Sequence, residues 1–103
     1  MQLDLSKLDV GDWIVVKLRQ EKAVKMNVGQ LTEKESCLEA NFSHRFGKTS
    51  SFYWPIVEDK SIIEKDEIYI HLPTPSITER DKIIFRVNFD SYNIGLICYI
   101  YFF

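Results

Sequence analysis

The segment VGDWIVVKL, residues 10–18, constrains the fold most strongly, because it is apolar on both faces of an extended strand. Successive side chains of a strand point to opposite faces, so Ile14 and Val16 share one face while Trp13 and Val15 share the other. A half-buried strand needs only one apolar face. A second layer, made by this chain or by a partner, must therefore cover the face that carries Trp13.

Strand signals recur along the chain with brief turns between them, and no apolar spacing predicts a helix of three turns. The predicted strands are 12–18, 24–33, 37–46, 52–55 and 62–72, with one helical turn inside the last, and a sixth strand-like run at 83–90. Short strands at such tight spacing are typical of a small antiparallel barrel. Gly29 is isolated within the second strand, which predicts a bulge or a sharp bend there.

The chain of 103 residues is long enough for one domain with one core. Pro73 and Pro75 end the fifth strand and predict a linker. We therefore expect a five-stranded barrel over residues 1–75 and a C-terminal extension over 76–103 that packs on it. The runs IIFRVNF and ICYIYFF of this extension can cover Trp13, because burial of one large apolar side chain contributes about 1.5–3 kcal/mol.

Three stretches, VGDWIVVKL, VGQLTEKE and FYWPIVEDKSIIEKDEI, together resemble the Tudor-type pattern of SH3-like barrels. They are also similar to an uncharacterised barrel region near the C-terminus of invertebrate transposon-associated proteins. The matching positions are Gly11, Asp12, Trp13, Val16, Lys17, Val28, Gly29, Gln30, Phe52, Trp54, Pro55, Val57, Glu58 and Asp59. The resemblance implies an all-β fold, a small five-stranded SH3-like (Tudor-like) barrel with a C-terminal strand extension.

Many Tudor-type domains bind methylated lysine or arginine in an aromatic cage, and the resemblance implies the same ligand class here. Each ring of such a cage attracts the cation by about 0.5–2 kcal/mol. The alternation of side chains places Phe52 and Trp54 on one face, and the resemblance implies that this is the core face. Tyr53 then lies on the opposite face and is the best single contact residue. Trp13 is either a cage wall or a core residue beneath the extension. The predicted peptide-binding residues are Trp13, Phe42, Tyr53, Glu58 and Asp59, where the two carboxylates would attract a basic peptide, with or without methylation.

Two other kinds of interaction stay open. The chain is alternatively a nucleic-acid-binding accessory domain of a transposon-derived protein, which contacts its ligand through Lys25, Arg45 and Lys48 and the neighbouring rings. An acidic barrel mouth favours the peptide, whereas a basic strip beside exposed rings favours nucleic acid. The net charge of −2 weakens a general nucleic-acid role. In the third interpretation the barrel only packs against another protein domain or a second copy of itself.

No catalytic or metal-binding motif is present, so we expect no enzyme activity, no cofactor and no metal. His44, His71, Cys37 and Cys98 lack the paired spacing of a zinc site, and no nucleophile elbow occurs. Two cysteines are too few for a disulfide scaffold, and reduced thiols predict an intracellular protein. Of the two intracellular compartments, we expect the nucleus rather than the cytoplasm. The apolar last ten residues are too short to cross a membrane, which needs about 20.

Overall fold

The chain is all-β over the residues that a computed structural model describes, which are 5–20, 23–47, 49–87, 89 and 97–99. Within them, the helical segments are the 3₁₀ turns Leu5–Lys7 and Lys65–Glu67. The strands are β1 (Trp13–Gln20), β2 (Ala23–Glu33), β3 (Leu38–Phe42), β4 (His44–Arg45), β5 (Ser51–Tyr53), β6 (Lys60–Ile63), β7 (Ile68–Leu72), β8 (Ser76–Ile77), β9 (Ile83–Ile84) and β10 (Ile97–Tyr99). They form two sheets, and the prediction of an all-β fold is confirmed.

The larger sheet is antiparallel and has the strand order β6-β3-β2-β1-β7. β1 and β2 form a long hairpin in which Trp13 pairs with Gln30 and Gln20 pairs with Ala23. β10 pairs with the first residues of β2, with Ile97 opposite Lys25. A five-stranded antiparallel sheet is thus present, together with a C-terminal strand that joins it.

The helical turn predicted within residues 62–72 is confirmed as a 3₁₀ turn between β6 and β7. A capping box holds it, in which the backbone N–H of Glu64 donates to the Glu67 carboxylate at 2.7 Å. In return, the backbone N–H of Glu67 donates to the carbonyl of Glu64 at 3.0 Å. Together these bonds satisfy backbone groups that the end of a turn otherwise leaves without partners. The turn therefore fixes how the chain passes from β6 to β7.

The smaller sheet, in the order β4-β5-β9-β8, is a feature that the sequence did not predict. The expected third strand, 37–46, is two strands in different sheets, because Ser43 interrupts it. The backbone N–H and the hydroxyl of Ser43 both donate to the carbonyl of Val28, each at 2.9 Å. Among the described residues of the expected run at 83–90, the strand is Ile83–Ile84, which pairs with β5.

β1 is buried on both faces by this chain, which answers the question that its sequence raises. Ile14 and Val16 belong to one core cluster, together with Leu8, Leu31, Ala40, Phe42, Ile63 and Ile68. Trp13 and Val15 belong to a second cluster, together with Val28, Phe52, Leu72, Ile83, Phe85 and Phe89. The Phe85 ring meets the Trp13 indole edge-on at 5.5 Å between centroids. Ile83, Phe85 and Phe89 therefore cover the second face, as expected, while the domain boundary at residue 75 stays a prediction.

Gly29 lies in regular pairing, and the expectation of a bulge at this residue is wrong. It pairs with Ile14 of β1 and with Phe42 of β3. The register shift between β2 and β3 falls further along, between Leu31 and Glu33. A Cβ atom added to Gly29 would lie 2.9 Å from Cδ1 of Phe42. The close approach of that ring is a reason for glycine at this position, while the sharp bend stays a prediction.

Candidate functional site

The β4–β5 hairpin carries the most prominent exposed aromatic surface of the described chain. His44 pairs with Tyr53 across the two strands, and Arg45 pairs with Phe52. Phe52 is fully buried in the core, so alternation turns the neighbouring Tyr53 to the outer face, where it is 42% exposed. The sequence-based expectation that Tyr53 points outward is confirmed.

The loop that closes this hairpin is held by short polar contacts. Gly47 adopts a positive φ of 63°, a conformation that glycine enters without strain. The Thr49 hydroxyl donates to the carbonyl of Phe46 at 2.6 Å and accepts the N–H of Ser51 at 3.1 Å. The Nε–H of Arg45 donates to the carbonyl of Thr49 at 2.7 Å. These contacts fix the position of Phe46 at the start of the loop.

Three rings meet on the outer side of the hairpin, and we call His44, Phe46 and Tyr53 the hairpin patch. The Phe46 and Tyr53 rings meet edge to face, with centroids 6.2 Å apart and planes at 81°. His44 meets Tyr53 in the same way at 5.8 Å and 76°. Phe46 is 60% exposed, more than Tyr53. Contiguous exposed rings of this kind mark interaction surfaces more often than single exposed apolar residues do.

An open hollow of about 330 Å³ lies against the patch and is lined by Arg45, Phe46, Gly47 and Tyr53. The Lys82 ammonium lies 5.3 Å from the centroid of the Phe46 ring. The guanidinium of Arg45 lies 5.8 Å from the centroid of the Phe89 ring. Arg45 therefore lines the hollow, and Lys82 lies over the ring of Phe46, which is one of the lining residues.

Asp59 and Glu58, the predicted acidic contact residues, lie on the other side of the patch. A carboxylate oxygen of Asp59 is 3.8 Å from Nε2 of His44, so Asp59 and Tyr53 flank the same imidazole. Glu58 is ion-paired with Lys60 at 3.4 Å. The structure thus brings Asp59 close to Tyr53 through His44, while Glu58 has a cationic partner of its own.

Trp13 and Phe42 are core residues, which corrects their assignment as peptide contacts. Trp13 is 5% exposed and Phe42 is 2% exposed, and they belong to the two different core clusters. The Trp54 ring packs on Trp13 at 5.4 Å rather than on Tyr53. A cage wall must present a ring face to its ligand, so these rings do not converge with Tyr53 on one cage.

The three predicted nucleic-acid contacts are not all placed together. Arg45 lines the hollow of the hairpin patch, whereas Lys25 lies on β2 in the larger sheet. Lys48 lies outside the described residues. Sequence reasoning missed Phe46, which lines the hollow beside Arg45, and Lys82, which lies over the Phe46 ring. Their only sequence signal was a position next to a turn, and that does not separate an exposed ring from a buried one.

Within the described segments, no His, Cys, Asp or Glu side chains group closely enough to hold a metal ion. The same segments contain no helix with the length and hydropathy that a membrane span requires. The fold and the patch define a small all-β chain with an exposed aromatic surface on a short hairpin. Comparison of the sequence and structure with known protein families, curated proteins and solved structures found no match.

Proposed function

We propose that this chain is a non-catalytic interaction module that binds a peptide segment of a protein partner at the hairpin patch. The observation that carries the proposal is the pair of exposed rings, Phe46 and Tyr53, held edge to face by a hydrogen-bonded loop. Rings fixed in this way offer a large contact area at little cost in side-chain entropy. Tyrosine and arginine are also enriched among the residues that dominate binding energies at protein interfaces.

We also propose that the larger sheet is a Tudor-like, SH3-like barrel. The support is the way its edges connect, because β6 and β7 are the two outer strands of the path yet are joined by residues 64–67 alone. A flat sheet of five strands would separate its edges by about 19 Å. A 3₁₀ turn advances only about 2 Å per residue, so the sheet must curl. Ile63 and Ile68, one from each edge strand, lie in the same core cluster.

A second candidate function is the binding of single-stranded nucleic acid. Lys82 above the Phe46 ring and Arg45 in the lining of the hollow favour it. Nucleic-acid bases stack on exposed aromatic side chains while nearby cations neutralise phosphates. The same surface would serve both functions, so one titration separates them.

The test is an NMR titration of the ¹⁵N-labelled protein with four probes: a lysine-rich peptide, its trimethyl-lysine form, a glutamate-rich peptide and oligothymidine. We expect chemical-shift changes at residues 44–47 and 51–53 with a peptide probe, and their loss in the double variant Phe46→Ala/Tyr53→Ala. Tyr69→Ala is the matched control, because Tyr69 is 48% exposed and Lys17 lies 5.6 Å from its ring centroid. Shifts that map elsewhere, or none with any probe, would contradict the proposal.

A further inference from the structure

We infer that the outer edge of β6 binds an extended basic peptide of a partner protein as an added strand. This site is separate from the hairpin patch, so the two proposals stand or fall independently. Three features of β6 carry the inference. They are its outward backbone groups, the exposed side chain of Ile62 and the excess of carboxylates on residues 58–67.

The register between β3 and β6 shows which backbone groups of β6 face outward. The Phe42 N–H donates to the carbonyl of Asp59 at 2.8 Å, so these residues form a hydrogen-bonded pair across the two strands. Bonded pairs alternate along an antiparallel ladder, and the register makes Ser61 the next bonded residue of β6. The N–H and C=O groups of Lys60 and Ile62 therefore point away from β3.

The outer edge of β6 is open to solvent. None of the described strands pairs with it, and β7 forms no ladder with it although residues 64–67 join the two strands. Lys60, Ser61 and Ile62 are all exposed. The strand keeps a regular register with β3 and contains no proline, whereas Pro75 directly precedes the edge strand β8 of the smaller sheet. Regular, unpaired edges of this kind are the templates to which extended peptides add.

Ile62 gives the edge an apolar contact. Its side chain is 70% exposed, whereas the next residue, Ile63, is buried in the core. Alternation therefore places Ile62 on the outer face of the sheet, where it lies opposite Glu39 of β3. An added strand would lie about 4.8 Å from β6. An apolar side chain of that strand would cover Ile62 on the side away from β3.

The segment that contains this edge is acidic. Residues 58–67 carry five carboxylates and two ammonium groups, which leaves a net charge of −3. The charged residues of the segment are Glu58, Asp59, Lys60, Glu64, Lys65, Asp66 and Glu67. The Glu58 carboxylate pairs with Lys60 at 3.4 Å. Glu64 and Asp66 are exposed, and neither forms an ion pair within the described segments.

Neighbouring charges do not cancel this excess. The facing strand β3 adds Glu39, and the connection that leads into it from β2 carries Glu33, Lys34 and Glu35. The charged residues outside the described segments sum to −1, and they are Asp4, Glu21, Lys22, Lys48 and Asp90. A basic peptide therefore complements the edge. A second copy of this chain, paired through the same edge, would bring like charges together, which destabilises a strand pair.

The test follows NMR spectra and amide hydrogen exchange of the ¹⁵N-labelled protein with three heptapeptides: alternating lysine and valine, its fully N-methylated form, and alternating glutamate and valine. The first should bind and slow the exchange of the Lys60 and Ile62 amides, while the Ser61 amide is already protected by β3. Equal binding of the methylated form, tighter binding of the glutamate peptide, or unchanged exchange at both amides would overturn the inference. Shifts confined to residues 44–47 and 51–53 would also overturn it, while they would support the proposed function. Exchange at both amides that slows with protein concentration alone would place a second copy on the edge and overturn it too.

Variants separate the backbone from the charges, with the lysine–valine peptide labelled and its affinity measured by fluorescence anisotropy. Ile62→Ala should weaken binding by about threefold, and Ile62→Pro by at least about tenfold, because proline also removes an outward N–H. Glu64→Gln/Asp66→Asn should weaken binding by about threefold to tenfold. Glu79→Gln/Asp81→Asn, a pair of exposed carboxylates with the same spacing in the turn between β8 and β9, is the matched control and should stay within about twofold. Equal losses in the two charge variants, or equal affinities of the alanine and proline variants, would overturn the inference.

Discussion

Gly29→Ala tests whether a close ring contact explains this glycine. The added Cβ would lie 2.9 Å from Cδ1 of Phe42 and 3.1 Å from the carbonyl oxygen of Asn41, whereas ordinary contacts begin at 3.4 Å. The ring must therefore retreat by about 0.5 Å, the difference between 3.4 and 2.9 Å. Phe42 is 2% exposed and its neighbour Ala40 is fully buried, so the ring moves against a filled core.

The expected cost follows from two opposing terms. Overpacking a filled core costs about 1–3 kcal/mol. Replacing glycine by alanine recovers about 0.4–1 kcal/mol, because it restricts the unfolded chain. We expect a net loss of about 1–2 kcal/mol in the free energy of unfolding. In a domain of this size the melting temperature should fall by about 5–15 °C.

The assay is urea unfolding followed by tryptophan fluorescence, because Trp13 is buried in the native state. Phe42→Leu makes space at the contact, so Gly29→Ala should cost at least about 0.5 kcal/mol less in that background. Gly11→Ala is the control. Gly11 has a φ of 99° and no atom within 4 Å of an added Cβ, so its cost is backbone strain, which Phe42→Leu cannot relieve. A stable Gly29→Ala variant, or strict additivity with Phe42→Leu, would refute the explanation.

Three further changes test other parts of the structure. Phe85→Ala should cost about 3–5 kcal/mol in urea unfolding and shift tryptophan emission to the red, since it opens the cover over Trp13; an unchanged emission maximum would contradict that. Ser43→Ala should cost about 0.5–1.5 kcal/mol in the same assay, because it removes the hydroxyl bond to Val28 and keeps the backbone bond. Phe46→Ala should change stability by less than about 0.5 kcal/mol, and a larger loss would make Phe46 a structural residue.

Much of the fold was predictable from local patterns. The alternation in residues 10–18 predicted a strand covered on both faces, and the run IIFRVNF predicted the segment that covers it. The turn chemistry predicted the hairpin that places Tyr53 outward. These features depend on neighbouring residues and on burial, which the order of apolar and polar residues records directly.

The second sheet was not predictable, because its strands are two or three residues long and carry no periodicity of their own. The break at Ser43 depends on a carbonyl of β2 that lies fifteen residues away in the chain. The exposed rings of the candidate site were not predictable for the same reason, since their exposure depends on contacts with distant segments. Phe42 and Phe46 are both phenylalanines near strand ends, yet one is 2% exposed and the other 60%. Only the packing of distant segments decides which ring is buried.

Because β1 contributes side chains to both core clusters, neither cluster can unfold without exposing the other to water. Loss of the cover formed by Ile83, Phe85 and Phe89 would expose the Trp13 indole and Val15 to water, on the opposite face of β1 from Ile14 and Val16. Denaturation should therefore proceed as one cooperative event, and the amide hydrogens of residues 14–16 should exchange with solvent only when the whole chain opens.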